Sequence, residues 1–182
     1  MNKGLLLLLI LINTSFTSEK KQRFIERQGL VEFFSYTSVE NIQAINRTVY
    51  SLIDIDEKKI AVDVLMRAFD FKKSLMKEHF NESYIETDLY PHATLEGDII
   101  DFDANFEGTQ TRIVKGDFTL RGIKKPIEIK ADITKTDKGY MIKGELEVKI
   151  KDYEIKVPSL LSPNIAKNIK VSFNFQYTLY EE

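Results

Sequence analysis

The sequence has no cysteine, no tryptophan, only two histidines and four prolines among its 182 residues. Without cysteine the chain can form no disulfide bond, no thiolate metal site and no thiol nucleophile. An excess of one charge is also missing, because 26 lysines and arginines and 28 aspartates and glutamates give a net charge of −2. Both signs are interspersed and no nucleic-acid-binding motif is present, so we expect no nucleic-acid partner.

The chain also lacks an apolar run long enough to span a membrane. Its longest run, residues 4–12 (GLLLLLILI), is about half of the ~20 residues that a spanning helix needs. Lys3 precedes the run, small polar residues follow it, and a charged segment begins at Glu19. This order is typical of a secretory signal peptide. We therefore predict a signal peptide over residues 1–18, a flexible lead-in over 19–28, and export to the periplasm or the extracellular space without stable membrane insertion.

What the sequence does contain is alternation of apolar and polar residues, clearest in residues 114–133 (VKGDFTLRGIKKPIEIKADI). A period of two with one apolar face predicts half-buried strands, here an antiparallel hairpin. We expect its connection to span residues 121–126, because Gly122 can adopt a positive φ and Pro126 fits the first residue of the returning strand.

The same alternation recurs along residues 29–182, which we interpret as one domain. The predicted strands outside the hairpin cover residues 30–36, 39–46, 48–56, 60–71, 93–102, 140–150 and 169–180. One segment differs, since Met76, Phe80 and Tyr84 are four residues apart and predict a short helix over residues 74–84 with Ser74 as its N-cap. About eight antiparallel strands with polar outer faces and one helix predict an all-β protein, an antiparallel barrel.

No catalytic arrangement is recognisable in the sequence. It contains no G-x-S-x-G, H-E-x-x-H, phosphate-binding or dinucleotide motif. We interpret His79 and His92 as helix-surface and loop residues, because a metal site would need both to converge with a carboxylate. Arg67 and Asp70 are expected to pair with each other. We predict no catalytic residue, no metal and no cofactor.

The inward-facing residues are rich in phenylalanine, which suits a hydrophobic ligand. A barrel of about eight strands is just wide enough for side chains or for one small ligand. A filled core and a ligand cavity therefore produce the same sequence pattern, and both interpretations stay open. The cavity candidates are Phe69, Phe71, Met76, Phe80, Tyr84, Phe118, Leu120, Ile129, Leu146, Phe173 and Phe175.

Three motifs resemble those of the YceI-like proteins. Residues 116–127 (GDFTLRGIKKPI) follow the family pattern G-x-L-T-[IL]-x-G-[VI]-x-[KR]-[PE]-[IV], with Phe118 where leucine is common. Residues 75–97 (LMKEHFNESYIETDLYPHATLEG) are similar to the family's helix followed by Y-P-x-A-x-[FL], in a variant that reads LM-x-EHFNE. Residues 152–158 (DYEIKVP) provide a third match, and the resemblance covers nearly all of residues 29–180.

The resemblance implies an extended, lipocalin-like barrel of eight antiparallel strands that holds an isoprenoid or fatty-chain lipid, with the helix near one end. It implies no enzyme activity and no metal. The expected function is thus an exported lipid carrier. Two alternatives stay open: a filled-core module that interacts with an envelope protein, and a lipid-modifying enzyme. The sequence leaves the oligomeric state open, a homodimer included.

Overall fold

The computed structural model describes residues 22–159 and 162–181. The predicted signal peptide therefore lies outside the described residues. The chain forms nine strands within these ranges: β1 (Arg23–Tyr36), β2 (Asn41–Asp54), β3 (Lys59–Leu65), β4 (Asp70–Phe71), β5 (His92–Ile99), β6 (Thr109–Leu120), β7 (Ile123–Thr136), β8 (Gly139–Lys149) and β9 (Asn168–Leu179).

The eight long strands close into an antiparallel barrel. Their order around the barrel is β1-β9-β8-β7-β6-β5-β3-β2, and pairing of β2 with β1 completes the circle. The two-residue strand β4 adds to β2 alone within the described chain. Each inward-facing side chain thus meets side chains from strands on the far side, which is what makes the alternating pattern stable. The predicted all-β, eight-stranded barrel with one short helix is confirmed.

The barrel has two different ends. The β2–β3, β5–β6 and β7–β8 connections lie at one end, which we call the closed end. The β1–β2 turn, the segment between β3 and β5, the β6–β7 turn and the segment between β8 and β9 lie at the other, which we call the helix end.

The β6–β7 hairpin is tighter than predicted. Leu120 pairs with Ile123, so the connection is only Arg121 and Gly122, with φ of 51° and 73°. Two positive φ values in a two-residue loop are typical of a type I′ turn, whose twist matches that of the strands. The predicted six-residue connection is wrong, because Pro126 lies inside β7 opposite Asp117.

Three further strand predictions need correction. Residues 23–28, expected in a flexible lead-in, form the start of β1, and residues 23–26 pair with β2. The two strands predicted over residues 39–46 and 48–56 form one strand, β2 (Asn41–Asp54). Asn46 bridges the polar stretch, because its amide donates to the Leu65 carbonyl and its oxygen accepts from the Thr48 N–H. The predicted strand over residues 60–71 is interrupted by a 3₁₀ turn, Met66–Ala68.

The predicted helix forms at the expected position but begins differently. Helix α1 covers Ser74–His79 and continues as a wider π-helical turn, Phe80–Tyr84. Lys73 occupies the N-cap position, without a side-chain capping bond, so the prediction of Ser74 as N-cap is wrong. Within the described residues no helix combines the length and apolar character needed to cross a bilayer.

Candidate ligand cavity

An apolar cavity of about 270 Å³ occupies the barrel interior. All eight long strands contribute side chains to its wall, together with the helical segment and the segment after β8. The wall includes every residue that the sequence analysis selected as a candidate: Phe69, Phe71, Met76, Phe80, Tyr84, Phe118, Leu120, Ile129, Leu146, Phe173 and Phe175. Their role as ligand contacts stays a prediction.

A cluster of phenylalanines attaches the helix to the barrel. The Phe80 ring centroid lies 5.5 Å from that of Phe33, 5.7 Å from that of Phe69 and 5.1 Å from that of Phe71. Edge-to-face and offset contacts at such distances add about 0.5–1.5 kcal/mol per pair beyond the burial of apolar area. The helix therefore covers the helix end of the cavity as a packed element.

The wall of the barrel separates between β7 and β8. Residues 131–136 of β7 pair with residues 139–144 of β8, and the pairing stops there. Towards the helix end, within the described chain, residues 123–130 of β7 pair only with β6, and residues 145–149 of β8 only with β9. Side chains from both sides of this gap line the cavity, among them Ile129 and Leu146.

The position of Pro126 fits this gap. Hydrogen-bonded and non-hydrogen-bonded pairs alternate along an antiparallel ladder. Counting from Leu120–Ile123, the pair that closes the turn, the Asp117–Pro126 pair is a non-hydrogen-bonded one. The proline nitrogen therefore faces the gap, where no partner strand requires an N–H donor, as is usual for proline at a sheet edge.

Residues 150–157, which we call the strap, follow β8 in the chain. They cross this gap and contact the β6–β7 turn. Ile155 and Val157 of the strap line the cavity. The buried Tyr153 ring contacts Phe118 edge-on, with centroids 5.7 Å apart. Side chains of the strap thus replace the missing ladder as the cover of the cavity.

Arg121 joins three segments at the helix end. Its guanidinium donates to the Glu86 carboxylate and, at 3.2 Å, to the Glu154 carbonyl oxygen of the strap. The guanidinium carbon also lies 5.5 Å from the centre of the Tyr90 ring. Only about a sixth of the Arg121 side chain is exposed (17%), so these interactions are partly shielded from water. The residue holds the turn, the strap and the segment after the helix together.

The cavity wall carries few polar groups, and most lie near the helix end: Ser35, Glu40, His79, Tyr84 and Asn164. Two of them already have partners, since the Ser35 hydroxyl accepts from the Ala166 N–H at 2.8 Å and Glu40 forms an ion pair with Lys73 at 2.5 Å. Burial raises the pKa of Tyr84 above its usual value, so its phenol is neutral at physiological pH. The interior therefore suits an uncharged chain.

Several wall residues were not among the candidates. Phe33, Val62 and Val64 have the correct inward phase, but their strands also carry apolar residues on the outer face, which obscures the alternation. Ile155 and Val157 lie in an irregular segment, where no periodicity indicates which side chains turn inward.

The titratable residues do not assemble a catalytic site in the described part of the chain. His79 lines the cavity, whereas His92 contacts Asp63 at 2.6 Å on the exposed surface. No group of three or more metal-ligating side chains is found among the described residues. The expected Arg67–Asp70 pair is wrong, because Arg67 pairs with Asp88 at 2.7 Å and Asp70 with Lys77 at 2.9 Å.

Comparisons with known structures agree with this architecture. A polyisoprenoid binding domain from Saccharophagus degradans, implicated in plant cell wall breakdown, superposes with a TM-score of 0.75 at 14% identity, covering 88% of this chain and all of that domain. BcnA of Burkholderia cenocepacia superposes with a TM-score of 0.69 at 13% identity, covering 80% of this chain and 94% of its own. A Campylobacter jejuni YCEI protein gives 0.64 at 15% identity, with 81% and 90% covered.

These identities are low, so the superpositions establish the fold alone. A search of the curated proteins gave no match to the chain. The sequence profile of the YceI-like domain, however, matches residues 26–177. That range contains all eight long strands almost completely, the helix and the strap. The chain therefore belongs to the YceI-like domain family.

Proposed function

We propose that this protein is an exported, non-catalytic binding protein that carries or sequesters an isoprenoid or another long-chain lipid in its barrel. The observation that carries the proposal is the apolar cavity of about 270 Å³ enclosed by all eight long strands. Apolar pockets with few polar groups are typical of sites for hydrophobic ligands. A structurally similar domain from Saccharophagus degradans is described as polyisoprenoid binding, which supports the same ligand class here.

The energetics favour long ligands. Each CH₂ group buried in the cavity contributes about 0.8 kcal/mol, so ten such groups contribute about 8 kcal/mol. Lost translational and rotational freedom opposes association by several kcal/mol. A short apolar molecule would therefore bind weakly, whereas a chain of ten or more carbons would bind well.

The filled-core alternative predicts an interior without a cavity, so the observed cavity favours lipid binding over that alternative. Export rests on the signal-peptide layout of residues 1–18. Cell fractionation with N-terminal sequencing tests it. We expect the protein outside the cytoplasm with an N-terminus between residues 15 and 20 of the sequence, and a cytoplasmic protein that retains residues 1–18 would contradict export.

Native mass spectrometry of the purified protein, followed by lipid extraction, tests the binding proposal. We expect an added mass that organic solvent releases as a neutral long-chain lipid. The Phe118→Asp variant should lose this mass, because a carboxylate on the apolar wall must be desolvated without a partner. Thr119→Asp, one residue along on the opposite phase of β6, is the matched control and should retain the mass. A ligand-free wild-type spectrum, together with no thermal shift on adding isoprenoids, would overturn the proposal.

A further inference from the structure

The cavity is closed at one end by a floor of buried side chains. On β3, β8 and β9 the cavity wall reaches Ile60, Ile142 and Phe175 towards the closed end. Beyond these positions, five inward-facing side chains do not line the cavity and are at most 2% exposed. They are Ile53, Ile99, Ala131, Ile133 and Tyr177.

A buried hydrogen bond stabilises this floor. The Ser51 hydroxyl donates to the Ala61 carbonyl oxygen at 2.8 Å, so the Tyr177 hydroxyl acts as donor in its 2.6 Å contact with Ser51. The two side chains belong to β2 and β9. They therefore connect the two strands that flank β1, and they form part of the floor below the cavity.

Below the floor the closed end is filled by aromatic rings. The Tyr140 ring contacts Phe24 with centroids 5.0 Å apart and Phe102 with centroids 5.7 Å apart. The polar groups of the cavity wall lie mostly at the other end, near the helix. A ligand with one polar end group would thus place that group at the helix end and the free end of its chain against the floor.

The depth of the cavity follows from the strand geometry. The wall extends from Ile142 on β8 to Ile150, the first residue of the strap, which is eight residue steps (150 − 142). At about 3.3 Å per residue and a strand tilt of about 40°, these steps correspond to about 20 Å along the barrel axis. An extended hydrocarbon advances about 1.25 Å per carbon for ordinary bond lengths and angles. About sixteen carbons therefore reach from the helix end to the floor.

We propose that this floor sets the chain length that the protein can enclose, so that an extended chain is buried up to about sixteen carbons and any excess stays outside the helix end. The inference rests on the proposed function, because it concerns the length preference of the same cavity. It assigns a role in ligand specificity to Tyr177 and its neighbours, although they do not line the cavity.

Titration of the wild-type protein with even-chain 1-alkanols of 8 to 22 carbons tests the proposed length limit. Each alkanol is titrated separately, and binding is measured by native mass spectrometry. We expect the dissociation constant to fall about fourfold per methylene up to about sixteen carbons and then to level off. An affinity that continues to rise at the same rate beyond twenty carbons would overturn the length limit but leave lipid binding intact. Failure of every alkanol to bind would overturn the proposed function and the length limit together.

We call the chain length at which the affinity levels off the break. Two substitutions should move the break in opposite directions. Tyr177→Ala opens the floor, while Ser51 keeps its bond to Ala61, and should extend the break by about three or four carbons, the length of the removed ring at ordinary bond lengths. Ile142→Phe fills the bottom of the cavity and should shorten it. Phe102→Ala, which removes a ring at the closed end below the floor, is the matched control and should leave the break unchanged. An unchanged break in Ile142→Phe would overturn the assignment even if Tyr177→Ala does not fold.

Discussion

Gly116 allows two strands of the barrel to approach more closely than any side chain would permit. A Cβ atom at this position would lie 2.2 Å from the Glu96 carbonyl oxygen and 2.5 Å from the Cα of Gly97. Gly116 and Gly97 are cross-strand partners on β6 and β5. The two glycines together thus determine the local separation and twist of the cavity wall.

The first prediction concerns this contact. Gly116→Ala should lower the free energy of unfolding by about 2–3 kcal/mol, because the backbone of β5 must move to accommodate the methyl group. Urea denaturation measures the change. Lys115→Ala on the exposed side of the same strand is the control and should stay within about 0.5 kcal/mol of wild type. Equal stability of the two variants would contradict the close-contact explanation.

The buried Tyr177 makes the stability of the folded protein decrease at alkaline pH. Burial raises the pKa of Tyr177 far above its usual value, although the hydrogen bond with Ser51 acts in the opposite direction. The native state therefore keeps a proton that the unfolded chain releases near pH 10. The stabilisation is complete below pH 10 and is lost as the pH rises from 10 towards the raised native pKa.

The second prediction follows from this linkage. Above pH 10 the free energy of unfolding should fall by about 1.4 kcal/mol per pH unit from Tyr177 alone. Urea denaturation at pH 8, 10 and 11.5 measures the slope. Tyr177→Phe should be less stable at pH 8 by about 1 kcal/mol, because its hydrogen bond is lost, but should show a shallower alkaline slope. Identical slopes for the two proteins would contradict this role of Tyr177.

At the scale of elements, the gap between β7 and β8 makes the strap a structural part of the cavity. A continuous ladder would cover this side with backbone hydrogen bonds, whereas the strap covers it with side chains and the Arg121 contacts. Segments held by few such interactions open locally more easily than ladder strands. We therefore expect the strap to exchange its amide protons faster than the eight long strands.

The third prediction tests the attachment of the strap. Arg121→Gln removes the contacts with Glu86 and Glu154 and should increase hydrogen exchange in residues 150–157, including the Ile155 N–H, which donates to the Ile150 carbonyl. Ligand release should also become faster, because the strap covers the gap. Lys125→Gln in the same hairpin is the control, since Lys125 is exposed. Unchanged exchange in the strap of Arg121→Gln would contradict the attachment.

At the scale of the whole molecule, an apolar cavity links ligand occupancy to stability. A ligand that binds only the native state stabilises it by about 2.7 kcal/mol at a hundredfold excess over its dissociation constant. For a chain of this size about 1 kcal/mol corresponds to a change of about 2–4 °C in melting temperature.

The fourth prediction is that reloading the delipidated protein with its extracted lipid raises the melting temperature by about 5–10 °C. Differential scanning calorimetry measures the shift. Phe118→Asp is the matched control and should show no shift, because its cavity does not accept the chain. A shift of the same size in this variant would place the lipid elsewhere on the protein.

Much of the barrel follows from local sequence. In β6, β8 and β9 each residue alternates cleanly between the two faces, so the strands and the inward phase of Phe118, Leu146 and Phe173 could be predicted. Where alternation fails, prediction fails too. The sequence predicts two strands over residues 39–46 and 48–56, because the local pattern contains no sign of the distant Leu65 carbonyl that the Asn46 amide contacts.

The sequence by itself determined which residues form strands, which faces are apolar and to which family the chain belongs, because these depend on a period of two and on short motifs. Only the tertiary structure decided that the interior contains a cavity and not a filled core, and that Tyr177 and other buried side chains lie below it. Those features depend on how side chains from strands far apart in the chain meet inside the closed barrel. No single segment contains that information, since the volume left inside a barrel is a property of all its strands together.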